Sequence, residues 1–358
     1  MSNTTEAPSL LTPPPPEPAY ADLRREVAAL KAVPLAWVRS SGKVPFNNFG
    51  DALSAVIVAL LAGLPVEHRF FDARRVRMSA IGTIGQDQRN GTVHVWGTGF
   101  DRKRTLTKLT GRFEAQPDTT YILHALRGPI SRRACLDAGL HAPAVYGDPG
   151  WLLPRLMPRG ATLTGGGAGE GPGEGPLHEL GLIPHISDLS EPSPQAGPAP
   201  GQARFAALEE VRFIPTYHAP SFAAFRAKLA EMLACRRILS GSFHGLILAD
   251  AYGIPSAYLS ASLPPGPHLL PLPEAAERID HRVADFYMGS GRRHVLAIGL
   301  PPDRRPDWAA VMRSIDRHYE PHHFDARHLL EAFPLPLAVD PEAPRWVLPA
   351  DFEQRLSW

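Results

Sequence analysis

Residues 238–259 read Ile-Leu-Ser-Gly-Ser-Phe-His-Gly-Leu-Ile-Leu-Ala-Asp-Ala-Tyr-Gly-Ile-Pro-Ser-Ala-Tyr-Leu, and they hold the densest chemistry in the chain. The pattern predicts a buried strand over 236–239, a small-residue turn at Ser240, Gly241 and Ser242, and a helix over 243–252. Gly253 stops that helix, and Pro255 leads into a second apolar strand over 256–259. Strand, tight turn, helix and strand form the unit of a parallel sheet. His244 then falls in the first helical turn, where free backbone N–H groups and the positive end of the helix dipole face outward. Two hydroxyls and an imidazole at a helix N-terminus suit an anionic ligand.

Other polar residues stand where strands are expected to end. Phe46-Asn47-Asn48-Phe49-Gly50-Asp51 is a polar turn before an apolar helix over 52–61, with Gly50 for a sharp bend and Asp51 as a good N-cap. Two readings stay open for it: a capped loop, or a strand-end loop facing a cleft, where α/β folds place their ligands. Arg127 follows an expected strand over 121–126, Asp148 follows one over 144–146, and His185 closes one over 182–185. The glycine turns Gly82-Thr83-Ile84-Gly85 and Gly97-Thr98-Gly99 do not make the Gly-x-Gly-x-x-Gly fingerprint, which argues against NAD. The glycine-rich run 165–176 lacks the Lys-Ser/Thr ending of a phosphate loop and carries Glu170 and Glu174, which would repel phosphate. His322 and His323 are adjacent, so their side chains would point apart, and no His/Cys/carboxylate cluster shows metal-ligand spacing. No metal and no cofactor are expected.

The scaffold that must position these residues reads as α/β. Strand and helix patterns alternate along most of the chain, including strands over 76–81 and 92–96 and helices over 20–33, 130–138, 222–234 and 308–319. With 358 residues, two domains are the natural division. The expected limits are a Pro-rich arm over 1–18, a first domain over 19–157, a Gly-rich linker over 158–178, a second domain over 179–332 and an extended tail over 333–358 that returns to the first domain. Residues 263–273 read as a proline-rich loop. Thirty-seven basic residues against 36 acidic ones, with no basic run, argue against a nucleic-acid partner. Two cysteines do not make a disulfide framework, and a reducing compartment fits. The first thirty residues show no basic-then-apolar leader, and the longest apolar run, 53–64, is too short to span a bilayer.

Six segments in order resemble the polysaccharide pyruvyl transferases: Asn48-Phe49-Gly50-Asp51, Trp96-Gly97-Thr98-Gly99, Leu126-Arg127-Gly128-Pro129, Gly147-Asp148-Pro149, Gly181-Leu182-Ile183-Pro184-His185, and residues 240–255. The resemblance covers roughly residues 35–330. It implies two facing Rossmann-like domains in the GT-B arrangement, with the first domain on the acceptor side. It also implies transfer of the pyruvyl group of phosphoenolpyruvate to a sugar of an exopolysaccharide or cell-wall precursor, as a ketal, with release of phosphate. Acceptors of this kind are often lipid-linked, which would bring a cytoplasmic bacterial enzyme to the inner face of the plasma membrane. One departure stands out. Some members carry an arginine two residues before the motif histidine, where this chain has Ser242. Another source, such as Arg127, would then be needed.

The resemblance also suggests roles. Arg127 suits a phosphate or carboxylate bidentately. His244 would donate to the phosphate or protonate the methylene carbon, while Ser240, Ser242, His185, Asn48 and Gly50 would line the substrate. Asp51 or Asp148 would take the proton of an attacking hydroxyl, though each serves equally well as a cap or turn residue. Two other classes compete: a nucleotide-sugar glycosyltransferase of the same build, and a catalytically silent glycan-binding protein.

Overall fold

The computed structural model describes residues 18–101, 112–163 and 177–358. The expected arm, apart from Pro18, and residues 164–176 of the expected linker lie outside the described residues. The strands are β1 (Val33–Ala36), β2 (Asn47–Asn48), β3 (Val66–Arg69), β4 (Arg77–Ser79), β5 (Gly91–Thr98), β6 (Thr119–Leu126), β7 (Gly181–Ile183), β8 (Arg212–Phe213), β9 (Tyr217–His218), β10 (Ile238–Ser240), β11 (Ser256–Ser260), β12 (Gly266–Pro271) and β13 (His294–Gly299). The helices are α1 (Pro18–Leu30), α2 (Phe49–Ala62), α3 (Pro129–Asp137), α4 (Leu153–Leu156), α5 (Arg159–Leu163), α6 (Phe222–Leu233), α7 (Phe243–Ala251), α8 (His281–Gly289), α9 (Trp308–His318) and α10 (Arg327–Glu331).

Two sheets organise the chain. The first has the order β3-β1-β4-β5-β6 and is parallel throughout. The second has the order β12-β13-β11-β10-β7-β8 and is parallel except for β12. The mixed α/β class with parallel sheets thus follows the alternation in the sequence. Three local expectations fail. Residues 266–271 are not loop but an edge strand antiparallel to β13, and an edge tolerates Pro267 and Pro271 because one side of it needs no ladder donor. Residues 144–146 form no strand; Tyr146 makes a single bridge to Leu126. Asp51 is not the N-cap of α2: Asn48 is, accepting from the Gly50 N–H at 3.0 Å.

Helix α2 is apolar on nearly every side and almost wholly buried, as such a helix must be. Its Leu53, Val56 and Leu60 share one apolar cluster with Phe222, Phe225 and Leu229 of α6 and Leu248 of α7. The halves built on the two sheets therefore share a core. The ribbon β2–β9 joins them again, pairing Asn47 with His218 and Asn48 with Tyr217. After α9 the chain returns to the first half: the Leu329 carbonyl of α10 accepts from Trp96 Nε1 at 2.7 Å. Residues 333–358 then cross α2 and α6, burying Trp346 and Phe352. Ala338 N–H bonds the Leu61 carbonyl, Arg155 stacks on Trp346, and Phe352 meets Phe222. Cys135 and Cys235 are free and buried.

One further contact clamps the halves. Asp285 of α8 is fully buried, and its carboxylate accepts from Arg127 Nε (3.1 Å), Ile130 N (2.8 Å), Ser131 N (3.1 Å) and Ser131 Oγ (2.5 Å). A second-half side chain thus caps the first-half helix α3 and neutralises the arginine at the end of β6. Gly128 is required here, because a Cβ would stand 1.8 Å from the Asp285 carbonyl oxygen. Removing one partner of a buried pair costs about 3–5 kcal/mol, since it strands the other charge. Asp285→Ala is therefore expected to lower the unfolding free energy by that order in urea titrations. A loss below about 1 kcal/mol would show that the halves dock without this carboxylate.

Candidate active site

Strand β10 ends at Ser240, and its hydroxyl bridges the turn, accepting from Ser242 N (3.1 Å) and donating to the Ser242 carbonyl (2.7 Å). Ser240 is thus spent on the backbone. Ser242 is the N-cap of α7 but makes no side-chain cap bond. His244 sits in the first turn of α7, nine-tenths buried at 9% exposure. Its Nδ1 edge presses on α2: a Cβ on Gly50 would stand 2.1 Å from that nitrogen. Its Nε2 lies 3.4 Å from Asp148 Oδ2. Neither of these two atoms has a hydrogen-bond partner among the described residues. Asp148 is fully buried, and its other oxygen accepts from Gly150 N at 2.8 Å, which fixes the carboxylate's direction.

Asp51 stands in the first turn of α2, one residue from Gly50. Burial pushes its carboxyl up to about 6, although the charges of His244 and then Arg282 pull the other way. Gly82, where a Cβ would lie 3.6 Å from Asp51 Oδ1, leaves room beside the carboxyl. Asn48 is committed to structure, capping α2 and donating from Nδ2 to Thr216 Oγ1 at 3.0 Å. His185 Nδ1 faces Ser187 Oγ at 2.7 Å and caps the short helix Ile186–Asp188. Burial and then the charge of Arg282 lower its pKa, so its ring is neutral at neutral pH.

The structure therefore brings Asp51, Gly50, Asp148, Ser242 and His244 together where strand ends of both sheets meet. Arg127 lies close by, with its guanidinium 5.1 Å from the Phe243 ring, yet it is 1% exposed and bound to Asp285 and to Thr83 Oγ1 at 2.5 Å. Among the described residues, its Nη2 has no hydrogen-bond partner. His185 stands to one side, its backbone packed on Gly241.

A cation absent from the sequence-based set stands near these groups. Arg282, in the first turn of α8, binds the N-cap residue Asp280 through Nε at 2.9 and 3.0 Å and through Nη2 at 2.5 Å. Burial alone would raise the Asp280 carboxyl, but the hydrogen bonds and charge of Arg282 hold it well below the usual range. The same guanidinium acts on Asp51, His185 and Tyr258. The only signal for it in the sequence was Asp-His-Arg at the start of a helix. A small, mostly apolar pocket opens beside His244, between α2, α6 and α7. Among the described residues, no group of three or more His, Cys, Asp or Glu is placed to hold a metal ion, and no helix is long and apolar enough to cross a membrane.

A family model described as polysaccharide pyruvyl transferase matches residues 48–262. The chain belongs to that family. The match begins at Asn48, the cap of α2, and runs past His244 and the end of β11, so it takes in Asp51, Arg127, Asp148 and His244. Asp280, Arg282 and Asp285 fall beyond it. No curated protein matches the chain.

Two outcomes follow from this geometry. Gly50→Ala is expected to displace the His244 ring and reduce activity about a hundredfold or more while the melting temperature changes little, because a 1 Å misplacement of a catalytic group has that effect. Retention of full activity would show that the ring is not held against α2 for function. The raised pKa of Asp51 means that the folded protein holds a proton the unfolded chain releases near 3.8. The native state thus binds more protons between about 4 and 6, and stability falls as pH rises through that window. Asp51→Asn removes this slope, so its stability relative to the wild type should rise from pH 4 to pH 7 in urea titrations. A constant difference would contradict the assignment.

Proposed function

We propose that this family member transfers the pyruvyl group of phosphoenolpyruvate to two hydroxyls of a sugar in an exopolysaccharide or cell-wall precursor, forming a ketal and releasing phosphate. The observation that carries this reading is the cluster of His244, Asp148 and Asp51 at the uncapped N-terminus of α7. The reaction needs an acid for carbon, a base for oxygen and fixed positive charge for a phosphate and a carboxylate, and this one locus offers all three.

In the proposed sequence, His244 delivers a proton to the methylene carbon of the enol ether, and C2 becomes electrophilic. Asp148 Oδ2 stands 3.4 Å from the imidazole Nε2, beside the proton-carrying edge of the ring. The first sugar hydroxyl attacks C2, and its proton passes to Asp51, whose pKa near 6 lets it take and return a proton close to neutrality. The second hydroxyl then displaces phosphate from the same carbon. The methylene gains one proton, the two hydroxyls lose one each, and phosphate leaves carrying the balance. Charge building on the departing phosphate is met by the α7 N-terminus, by Arg282 and by Arg127 Nη2.

We read the two parallel sheets, whose strand ends meet at this locus, as facing Rossmann-like domains of the GT-B kind. In that reading α2 presents the acceptor side and α7 the donor side. A lipid-linked acceptor would place the enzyme at the cytoplasmic face of a membrane.

Purified protein given phosphoenolpyruvate and glycans bearing vicinal or 4,6-related hydroxyls should release phosphate and add one pyruvyl ketal per acceptor, read by phosphate assay and mass spectrometry. His244→Ala should lower kcat by about 10²–10⁴-fold, the usual contribution of a general acid. Turnover of a nucleotide sugar instead, or transfer at the wild-type rate by His244→Ala, would overturn the reading.

A further inference from the structure

The ribbon β2–β9 has two unlike faces. Residues directly opposite each other in an antiparallel pair project to the same side, and the next pair projects to the other. Asn47 and His218 form one pair. Both are buried, and the His218 ring packs against Phe49, Phe225 and Trp358, so this face belongs to the core. Asn48 and Tyr217 form the other pair. The Asn48 side chain reaches Gly50 N, in the first turn of α2, and Thr216 Oγ1. Tyr217 therefore stands on the face turned toward the first turn of α2, where Asp51 is.

The main chain fixes this placement, since Phe49 N donates to the Thr216 carbonyl at 2.8 Å. Tyr217 is partly exposed, as are Asp51 and Arg282. Burial and then the charge of Asp51 push its phenol up from the ordinary value, so the two groups are within electrostatic reach and the hydroxyl stays protonated near neutral pH. Among the described residues no hydrogen bond ties that hydroxyl. The transfer steps make no use of this side chain. A pyranose has a face of C–H groups and a rim of hydroxyls. An aromatic ring carries negative charge on its face, which suits the C–H groups, and a phenol adds a donor for the rim. An aromatic wall with a few polar groups to fix orientation is the usual make-up of a small-molecule site.

We propose that Tyr217 is the platform for the acceptor sugar: its ring packs on the C–H face of a pyranose, its hydroxyl bonds an oxygen of the rim, and the sugar is thereby held with one hydroxyl facing Asp51. Naming the sugar as the pyruvyl acceptor rests on the reading of the preceding subsection; the sugar platform itself does not. Tyr217 is a binding residue and moves no proton. The half that carries α7 thus contributes to the acceptor side through β9.

The test uses the full chain as wild type, Tyr217→Phe and Tyr217→Ala, with the methyl glycosides of glucose, galactose and mannose as probes. In saturation-transfer NMR with irradiation of the aromatic protons, the wild type should pass signal to the C–H protons of at least one glycoside. Tyr217→Phe should keep that signal, and Tyr217→Ala should lose it at an unchanged melting temperature. In turnover, Tyr217→Ala should raise the acceptor KM about ten- to fiftyfold, as for loss of a central aromatic contact. Tyr217→Phe should raise it about two- to tenfold, as for one hydrogen bond. The donor KM should be unaltered in both, a split that a general loosening of the fold would not give. Equal sugar signal in wild type and Tyr217→Ala, or none in the wild type, overturns the proposal. If the signal depends on Tyr217 but no acceptor ever receives a pyruvyl group, the platform stands and the transfer reading falls. If transfer proceeds with the same acceptor KM in Tyr217→Ala, the transfer reading stands and the platform falls.

Discussion

The structure depends on where one carboxylate goes. Asp285 lies in α8, yet all four of the hydrogen bonds described for it come from the first half, at the end of β6 and the start of α3. Without it, Arg127 would carry an uncompensated charge at 1% exposure and α3 would begin with open N–H groups. With it, the end of the edge strand β6 and the start of α3 are held against α8, and Arg282, three residues earlier on that helix, is carried to the edge of the site. Position and charge arrive by the same contact.

What that clamp creates is a small volume in which charges act on one another at short range. Asp51 shows the balance. Burial drives its carboxyl toward the neutral form, and the cations His244 and Arg282 restrain the rise to about 6. A surface aspartate would stay ionised and would be a poor proton donor; one buried without cations would rarely ionise. Asp148 is treated differently. One of its oxygens is tied to Gly150 N while the other faces His244. The two carboxylates thus receive unlike environments, and acid–base chemistry needs such a difference.

The parts of the site legible in the sequence are the local ones. Ser-Gly-Ser-Phe-His followed by apolar residues announces a strand, a turn and a helix within a dozen residues, and the fold there follows the pattern closely. The burial of α2 was equally readable, since Ala-Leu-Ser-Ala-Val-Ile-Val-Ala-Leu-Leu has no polar face to show solvent. Strand β12 was hidden because Pro267 and Pro271 look like loop residues, and only its place at the sheet edge, beside β13, makes them acceptable. Arg127 was legible as a cation at a strand end, but its occupation by Asp285 was not, because the two are 158 positions apart. The cap of α2 differs from expectation for a local reason: it goes to Asn48, whose side chain reaches Gly50 N, and Asp51 is left beside Gly82.

Ser242 draws these points together. A small residue at this position leaves the first turn of α7 uncovered, with the small apolar pocket in front of it and Gly50 close behind His244. An arginine there would fill part of that space with its own side chain and bring its charge from within the motif. In this chain positive charge stands on a neighbouring element instead, Arg282 on α8, steadied by the carboxylate of its cap residue Asp280. A cation held by an acid loses less side-chain freedom when a ligand arrives than one that swings in from solvent. With serine at this position, the nearby positive charge of Arg282 depends on tertiary packing, and so on the clamp at Asp285 that sets α8 in place.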